Sequence, residues 1–280
     1  MSTPASPLSE HPSVAVIGGG VMGETLVSAM RVAGWPGSSI TVVDRNAERL
    51  ATLADAHEVA TAGAAAEAAA GAGVVLLAVK PQQMAEVLDE ISAAVTPGTL
   101  VVTVAAALPS SFYERHLPAG TPVVRVMPNT PAVVGRGATS VSAGAAATDD
   151  HLALVETMLQ ATGLVVRVPE ENIDAVIAVA GSAPAYFFAV VEALTEAGVM
   201  QGLDRELAST LAQQTFTGAA QLLAESGDTP QELRRRVSSP GGTTLAALDA
   251  MTHAGLQGVI SAGANAAVSR SKELGAELAG

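Results

Sequence analysis

The first half of the chain alternates short apolar runs with stretches whose apolar positions recur every three or four residues. Residues 14–17, 40–43, 74–79, 100–104 and 123–126 are apolar but for Thr41, Thr103 and Arg125 and do not alternate, which is the pattern of strands covered on both faces of a parallel sheet. Stretches with helical spacing, such as 25–33 and 82–93, lie between them. This order predicts an α/β fold with a doubly wound parallel sheet. Further short strands are expected at 139–141 and 164–168. After "VPEEN" the strand pattern stops, and from Ile173 onward helix is expected to follow helix, with breaks at Gly202, Gly227-Asp228, a Ser-Pro-Gly-Gly turn and Gly255. The expected organisation is a loose tail over 1–12, a sheet domain over 13–168 and an all-helical domain over 169–280.

Composition narrows the function classes. The 280 residues are 49% hydrophobic but only 2% aromatic, with a net charge of −13. Few aromatics leave little for base stacking, and the charge disfavours nucleic acid or an anionic membrane as partner. There is no cysteine, so thiolate chemistry is excluded, and a reducing compartment, the cytoplasm, is expected. His11, His57, His116, His151 and His253 lack ligand spacing, so no metal is predicted. Residues 1–12, Ser/Pro-rich and without an apolar core, do not resemble a signal peptide. The uncharged run between Asp174 and Glu192 is short for a membrane span and holds Gly181, Ser182 and Pro184, so a helix buried in the second domain is expected.

Six short stretches carry candidate chemistry. "VAVIGGGVMGETL" sets Gly18, Gly20 and Gly23 in G-x-G-x-x-G spacing between a strand and a helix, with Val21 and Met22 opening the helix. Glycines there serve a tight turn, backbone approach to a pyrophosphate and close helix–strand packing, the Rossmann arrangement. At the end of the second strand Asp44 is placed to bind the ribose hydroxyls of NAD(H), whereas Arg45 and Asn46 could receive the 2′-phosphate of NADP(H). The guanidinium fork favours NADP(H), with NAD(H) tolerated. Ala78, Val79, Lys80 and Pro81, then Ala105 and Ala106, end strands at the carboxyl edge of the sheet, where ligands of such folds bind, and Asn129 stiffens a further loop there as a wall of the cofactor site. In the helical half, "VSSPGGTT" places Ser239, Pro240, Gly241, Gly242, Thr243 and Thr244 at a helix start, where unpaired N–H groups suit a small anion, although an ordinary capped turn has the same local pattern.

These segments, with "AVKP", "MPNTP" and "GSAPAY", occur in the order seen in pyrroline-5-carboxylate reductases, and the chain resembles that family over nearly its whole length. The resemblance implies hydride transfer from NAD(P)H to the C=N carbon of 1-pyrroline-5-carboxylate, giving L-proline. It implies that the Ser-Pro-Gly-Gly turn binds the substrate carboxylate through backbone N–H groups and that Thr244 is the catalytic residue, approaching the ring nitrogen. It also implies a homodimer at least, with the helices of two subunits interlocked. The helix over 181–194, apolar around most of its circumference, suits that implication.

Two departures stand out: Ala107 and Ala183 occupy positions where the family usually has glycine, and the family's asparagine near the adenosine ribose has no counterpart in "TAGAAAEAAAGAG". Two other readings remain at this stage. A related imine reductase or β-hydroxyacid-type dehydrogenase would share the fold, but no lysine lies between Lys80 and Lys272 to serve as a catalytic lysine at the start of the helical domain. A non-catalytic NADP-binding dimer is the second.

Overall fold

The computed structural model describes residues 11–279 apart from residue 97. Most of the expected tail therefore lies outside the described residues. Its last two residues are not loose: the His11 ring lies 4.5 Å from that of Trp35, whose indole N–H donates to the Pro12 carbonyl at 3.2 Å. The chain forms two compact units, one running to Gly181 and resuming at Ala267, the other Ser182–Ala266. The strand pattern ends at residue 167, and the first helical turns after it, to Gly181, still belong with the sheet.

In the first unit, β1 (Val14–Ile17), α1 (Val21–Val32), β2 (Ile40–Val43), α2 (Ala47–His57), β3 (Ala60–Ala62), α3 (Ala65–Ala69), β4 (Val74–Leu77), α4 (Met84–Ile91), β5 (Leu100–Thr103), α5 (Ser110–His116) and β6 (Val123–Met127) alternate as expected. They are followed by β7 (Gly137–Ala143), α6 (Asp149–Leu159), β8 (Gly163–Arg167) and α7 (Ile173–Val176). The strands form one sheet in the order β3-β2-β1-β4-β5-β6-β7-β8. All neighbours to β6 are parallel, β7 runs antiparallel to β6, and β8 is parallel to β7. Val14 pairs with Ile40 on one side and Val74 on the other, which makes β1 the centre from which both halves are wound.

Successive residues of one strand enter different cores. Val14 and Val16 pack with Leu26, Met30 and Trp35, while Ala15 and Ile17 pack with Leu88, Ile91 and Tyr113. That two-sided burial is why the strands read as mostly apolar runs without alternation. β3 escaped the sequence reading because Ala60, Thr61 and Ala62 are small and sit at the exposed edge of the sheet. β4 is shorter than the expected 74–79: Ala78 N still donates to Ile17 O at 2.8 Å, but the chain then turns at the carboxyl edge. The expected helix over 82–93 begins as a 3-10 turn at Pro81–Gln83 and becomes α-helical at Met84.

A π-helical turn, Ile177–Gly181, precedes the second unit. That unit consists of α8 (Ala183–Met200), α9 (Arg205–Ser226), α10 (Pro230–Arg236), α11 (Thr243–His253) and the first part of α12 (Leu256–Ala279). Asp204 caps α9 by accepting from Leu207 N, and Thr229 caps α10 by accepting from Glu232 N. The expected burial of the apolar helix is corrected here. Phe187, Phe188 and Leu194 of α8 are half or more exposed, because no other part of the described chain covers that face. The segment Glu170–Met200 is long and apolar enough, by length and composition, to cross a membrane, with 22% of its apolar window buried.

Candidate active site

The glycine-rich loop joins β1 to α1, and each glycine has its own reason. Gly18 has φ +108, and a Cβ there would lie 2.7 Å from the Ala78 carbonyl oxygen. A Cβ on Gly23 would collide with the Gly18 carbonyl. Gly20 differs, since a Cβ there would meet nothing within 4 Å. Packing does not require that glycine; what its missing side chain leaves free is the space over the helix start. Gly20 is also the N-cap of α1 and gives it no side-chain cap, so the first N–H groups of the helix, at Val21, Met22 and Gly23, are free for an anion. A dinucleotide pyrophosphate fits that cradle.

A groove of about 280 Å³ continues along the carboxyl edge of β1 and β2, and of the expected cofactor residues Gly18, Asp44, Arg45 and Val79 line it. Its other walls include Gly63, Ala64, Gln83 and Glu90, which sequence reasoning missed. The Asp44 carboxylate is occupied by the backbone: Oδ2 accepts from Gly19 N at 2.8 Å and Oδ1 from Asn46 N at 2.9 Å. It thereby fixes the phosphate loop against β2. Asn46, not Asp44, caps α2, accepting from Glu48 N and Arg49 N. Arg45 projects outward and pairs with Glu86 of α4 at 2.8 Å. A second arginine reaches the loop from α2, with Arg49 Nε donating to Gly19 O at 2.6 Å and its Nη2 to Glu24 at 2.5 Å. The Arg49 guanidinium holds the Glu24 carboxyl below the usual range against a partial burial cost, and His57 lies 3.3 Å from the same carboxylate.

Further along the edge, Lys80 is exposed and Pro81 starts the 3-10 turn, with Gln83 N donating to Lys80 O at 2.9 Å. Ala105 N donates to Thr103 Oγ1 at 3.3 Å, and that hydroxyl donates to Tyr113 Oη at 2.7 Å. Burial pushes the Tyr113 phenol up to about 12, which keeps it neutral. Ala106 is half-buried, and Ala107 has φ +74, a left-handed conformation for which glycine is better suited. Asn129 has both ends of its amide engaged within the first unit: Nδ2 donates to Ala180 O at 3.1 Å and Oδ1 accepts from Ala138 N at 2.9 Å. It ties the "MPNTP" loop to the π-helical turn. Glu170 of "VPEEN", another residue the sequence reading passed over, accepts from Ser110 N at 2.7 Å and from the buried Arg125 at 3.2 Å, with a further bond from the Ser110 hydroxyl.

The Ser-Pro-Gly-Gly-Thr-Thr turn belongs to the second unit. Gly241 has φ +73, which only glycine adopts freely, and Gly242 N donates to Ser239 O at 2.9 Å. Gly242 is the N-cap of α11 and supplies no side chain to cap it, so Thr243 and Thr244 are the first two helical residues rather than the cap. Thr243 is exposed and Thr244 half-buried. A Cβ on Gly242 would collide with the Ser239 side chain, so this glycine is also needed to close the turn itself. Of the three arginines before the turn, Arg235 pairs with Glu232 at 2.7 Å and Arg236 with Asp228 at 2.5 Å. The Arg235 guanidinium, with Arg236, holds the Glu232 carboxyl down to about 2. The turn thus offers unpaired N–H groups to a small carboxylate.

Comparison with known proteins identifies both halves. A family profile described as pyrroline-5-carboxylate reductase dimerisation matches residues 170–274, and one described as NADP oxidoreductase, coenzyme F420-dependent, matches residues 13–107. A pyrroline-5-carboxylate reductase of Corynebacterium melassecola is 43% identical over 266 residues, covering 94% of this chain and 98% of that protein. That of Pseudomonas aeruginosa is 41% identical over 268 residues, covering 95% and 98%. Among solved structures, the pyrroline-5-carboxylate reductase of Coxiella burnetii matches with a TM-score of 0.88 at 35% identity, covering 94% of this chain and 98% of that one. With this identity over nearly its full length, the chain belongs to the pyrroline-5-carboxylate reductase family.

Proposed function

We propose that the chain reduces 1-pyrroline-5-carboxylate to L-proline with NAD(P)H, the last step of proline biosynthesis, and that residues 13–168 hold the cofactor while residues 169–280 hold the substrate and form a homodimer. The observation that carries this reading is the intact turn at 239–244, with a left-handed Gly241 and an uncapped helix start at Gly242, in a chain similar over its length to known reductases. When bound, the dinucleotide supplies the hydride. Gly18, Gly20 and Gly23 seat its pyrophosphate at the N-terminus of α1, and the loops at Ala78–Pro81 and Ala105–Ala106 border the nicotinamide end.

In the second unit the free N–H groups at Thr243 and Thr244 receive the substrate carboxylate, while the Gly242 N–H closes the turn on Ser239 O. Thr244 Oγ1 orients and polarises the ring nitrogen, and solvent supplies the final proton. Much of the rate then comes from holding the ring in one orientation, which at its best lowers a barrier by roughly 7–11 kcal/mol. Arg45 favours NADP(H) over NAD(H) by pairing with the 2′-phosphate. A cysteine-free chain suits work in the cytoplasm. The direct test follows the absorbance of NADPH and NADH after addition of 1-pyrroline-5-carboxylate and assays the product. Cofactor oxidation with stoichiometric proline is expected, whereas tight cofactor binding without oxidation would favour a non-catalytic dinucleotide-binding dimer.

A further inference from the structure

Three carboxylates bear on the groove around Arg45: Asp44 and Glu90 line it with Arg45, and Glu86 reaches it through its pair with Arg45. Two of the three are immobilised by backbone groups. Asp44 accepts from Gly19 N and Asn46 N, and Glu90 accepts from Ala65 N at 2.7 Å and Ala66 N at 3.3 Å at the start of α3. Glu86 differs from both. Among the described residues its one polar partner is Arg45, at 2.8 Å, and the two side chains remain 69% and 73% exposed. An ion pair in that setting is weak and exchanges readily with another ligand of the guanidinium.

We infer that Glu86 sets the discrimination between 2′-phosphorylated and unphosphorylated dinucleotides, by competing with the 2′-phosphate for Arg45. The inference rests on the proposed contact of Arg45 with that phosphate. A phosphate monoester carries more charge than a carboxylate and matches the guanidinium fork, so it displaces Glu86, but part of its attraction is spent in opening the existing pair. A ligand with a free 2′-hydroxyl leaves the pair closed and gains nothing from Arg45. Asp44, the residue that sequence reasoning places on the ribose, is held by the backbone whichever ligand is present.

The test titrates the intact protein with 2′,5′-ADP and with 5′-AMP, which differ by the phosphate alone, in calorimetry of the native chain, Glu86→Gln, Arg45→Ala and the double variant. Glu86→Gln is expected to bind 2′,5′-ADP about threefold to tenfold more tightly and 5′-AMP unchanged. Arg45→Ala is expected to weaken 2′,5′-ADP about tenfold or more, and Glu86→Gln to give no gain once Arg45 is gone. The NADPH-to-NADH ratio of kcat/KM should shift in the same sense. Unchanged 2′,5′-ADP affinity in Glu86→Gln, with the loss in Arg45→Ala still confined to 2′,5′-ADP, overturns the role of Glu86 and leaves that of Arg45. An equal gain in the Arg45→Ala background also overturns it, since Glu86 would then act by simple repulsion. An Arg45→Ala variant that binds both ligands normally removes the contact on which the inference stands.

Discussion

In the first unit every central strand is covered on both faces by its own chain, and Leu76, Leu77, Val101 and Val102 are all but inaccessible. In the second, the apolar side chains the described chain buries are Ala183, Pro184, Ala208 and Ala212, while Phe187, Phe188, Val190, Leu194 and Leu211 stay open. One contact within it is aromatic, Phe187 against Phe216 at 5.7 Å. The first unit is thus a self-contained scaffold on which a cofactor groove can be rigid. The second cannot complete a core from its own residues, and its match to a dimerisation profile names the cover: a second copy of the chain.

The largest expected effect breaks that contrast. Phe188→Asp, at a side chain 60% exposed, should leave the helices formed yet raise the dimer dissociation constant by about thirtyfold or more, the scale of an interface hot spot near 2 kcal/mol, and abolish activity at dilute protein. Leu164→Asp on β8, at a side chain 62% exposed in the first unit, should alter stability by only about 0.5 kcal/mol and leave the dimer and activity intact. Sedimentation with an activity assay reads both. An active Phe188→Asp dimer would show that α8 is not the face that associates.

A smaller effect sharpens the account of the first unit. Arg49 touches the phosphate loop through Gly19 O and is buttressed by Glu24. As a positioning residue it should act on the loop whichever dinucleotide is bound. Arg49→Met is expected to weaken NADP+ and NAD+ alike, by about fivefold to tenfold for the loss of one charge-assisted bond, in contrast to the selective loss at Arg45. Fluorescence titration with both cofactors distinguishes the two patterns, and a loss confined to NADP+ would place Arg49 on the 2′-phosphate instead.

The smallest concerns Ala107, left-handed at φ +74. For a non-glycine residue that conformation costs about 1–2 kcal/mol, partly offset by the greater chain entropy glycine brings to the unfolded state. Ala107→Gly should therefore raise stability by about 0.5–1 kcal/mol, or about 2 °C in Tm by calorimetry. An unchanged or lower Tm would mean that the alanine methyl makes contacts worth the strain.

The sheet was legible because burial on both faces leaves β1, β2, β4, β5 and β6 mostly apolar, with Thr41, Thr103 and Arg125 the exceptions, whereas β3 was not, since an exposed edge strand of Ala60, Thr61 and Ala62 needs no apolar run. The phosphate loop was legible for a similar reason: Gly18 is forced by the Ala78 backbone and Gly23 by the Gly18 backbone. The finer roles were not. Asp44 reads as a ribose ligand in sequence; that its oxygens also bond to Gly19 and Asn46 is set by how the loop folds back on β2. Arg49, Glu86 and Glu170 carry no motif, and their partners lie 30, 41 and 60 residues away along the chain. Gly242 reads as room for a ligand, but its first duty is to clear the Ser239 side chain. Exposure of α8 was partly readable from its apolar circumference, but a buried helix and a dimer face share that pattern.

We propose that residues 13–168 hold the cofactor and residues 169–280 the substrate. Thr244→Ala tests it most directly, because the residue lies outside the cofactor groove and at the start of α11. Steady-state kinetics with 1-pyrroline-5-carboxylate, paired with NADP+ titration of the same variant, should give kcat and kcat/KM both lowered by about tenfold to a hundredfold, for about 1.4–3 kcal/mol of lost transition-state stabilisation, at unchanged NADP+ affinity. Full activity in Thr244→Ala, or a loss explained by weaker NADP+ binding, would contradict it.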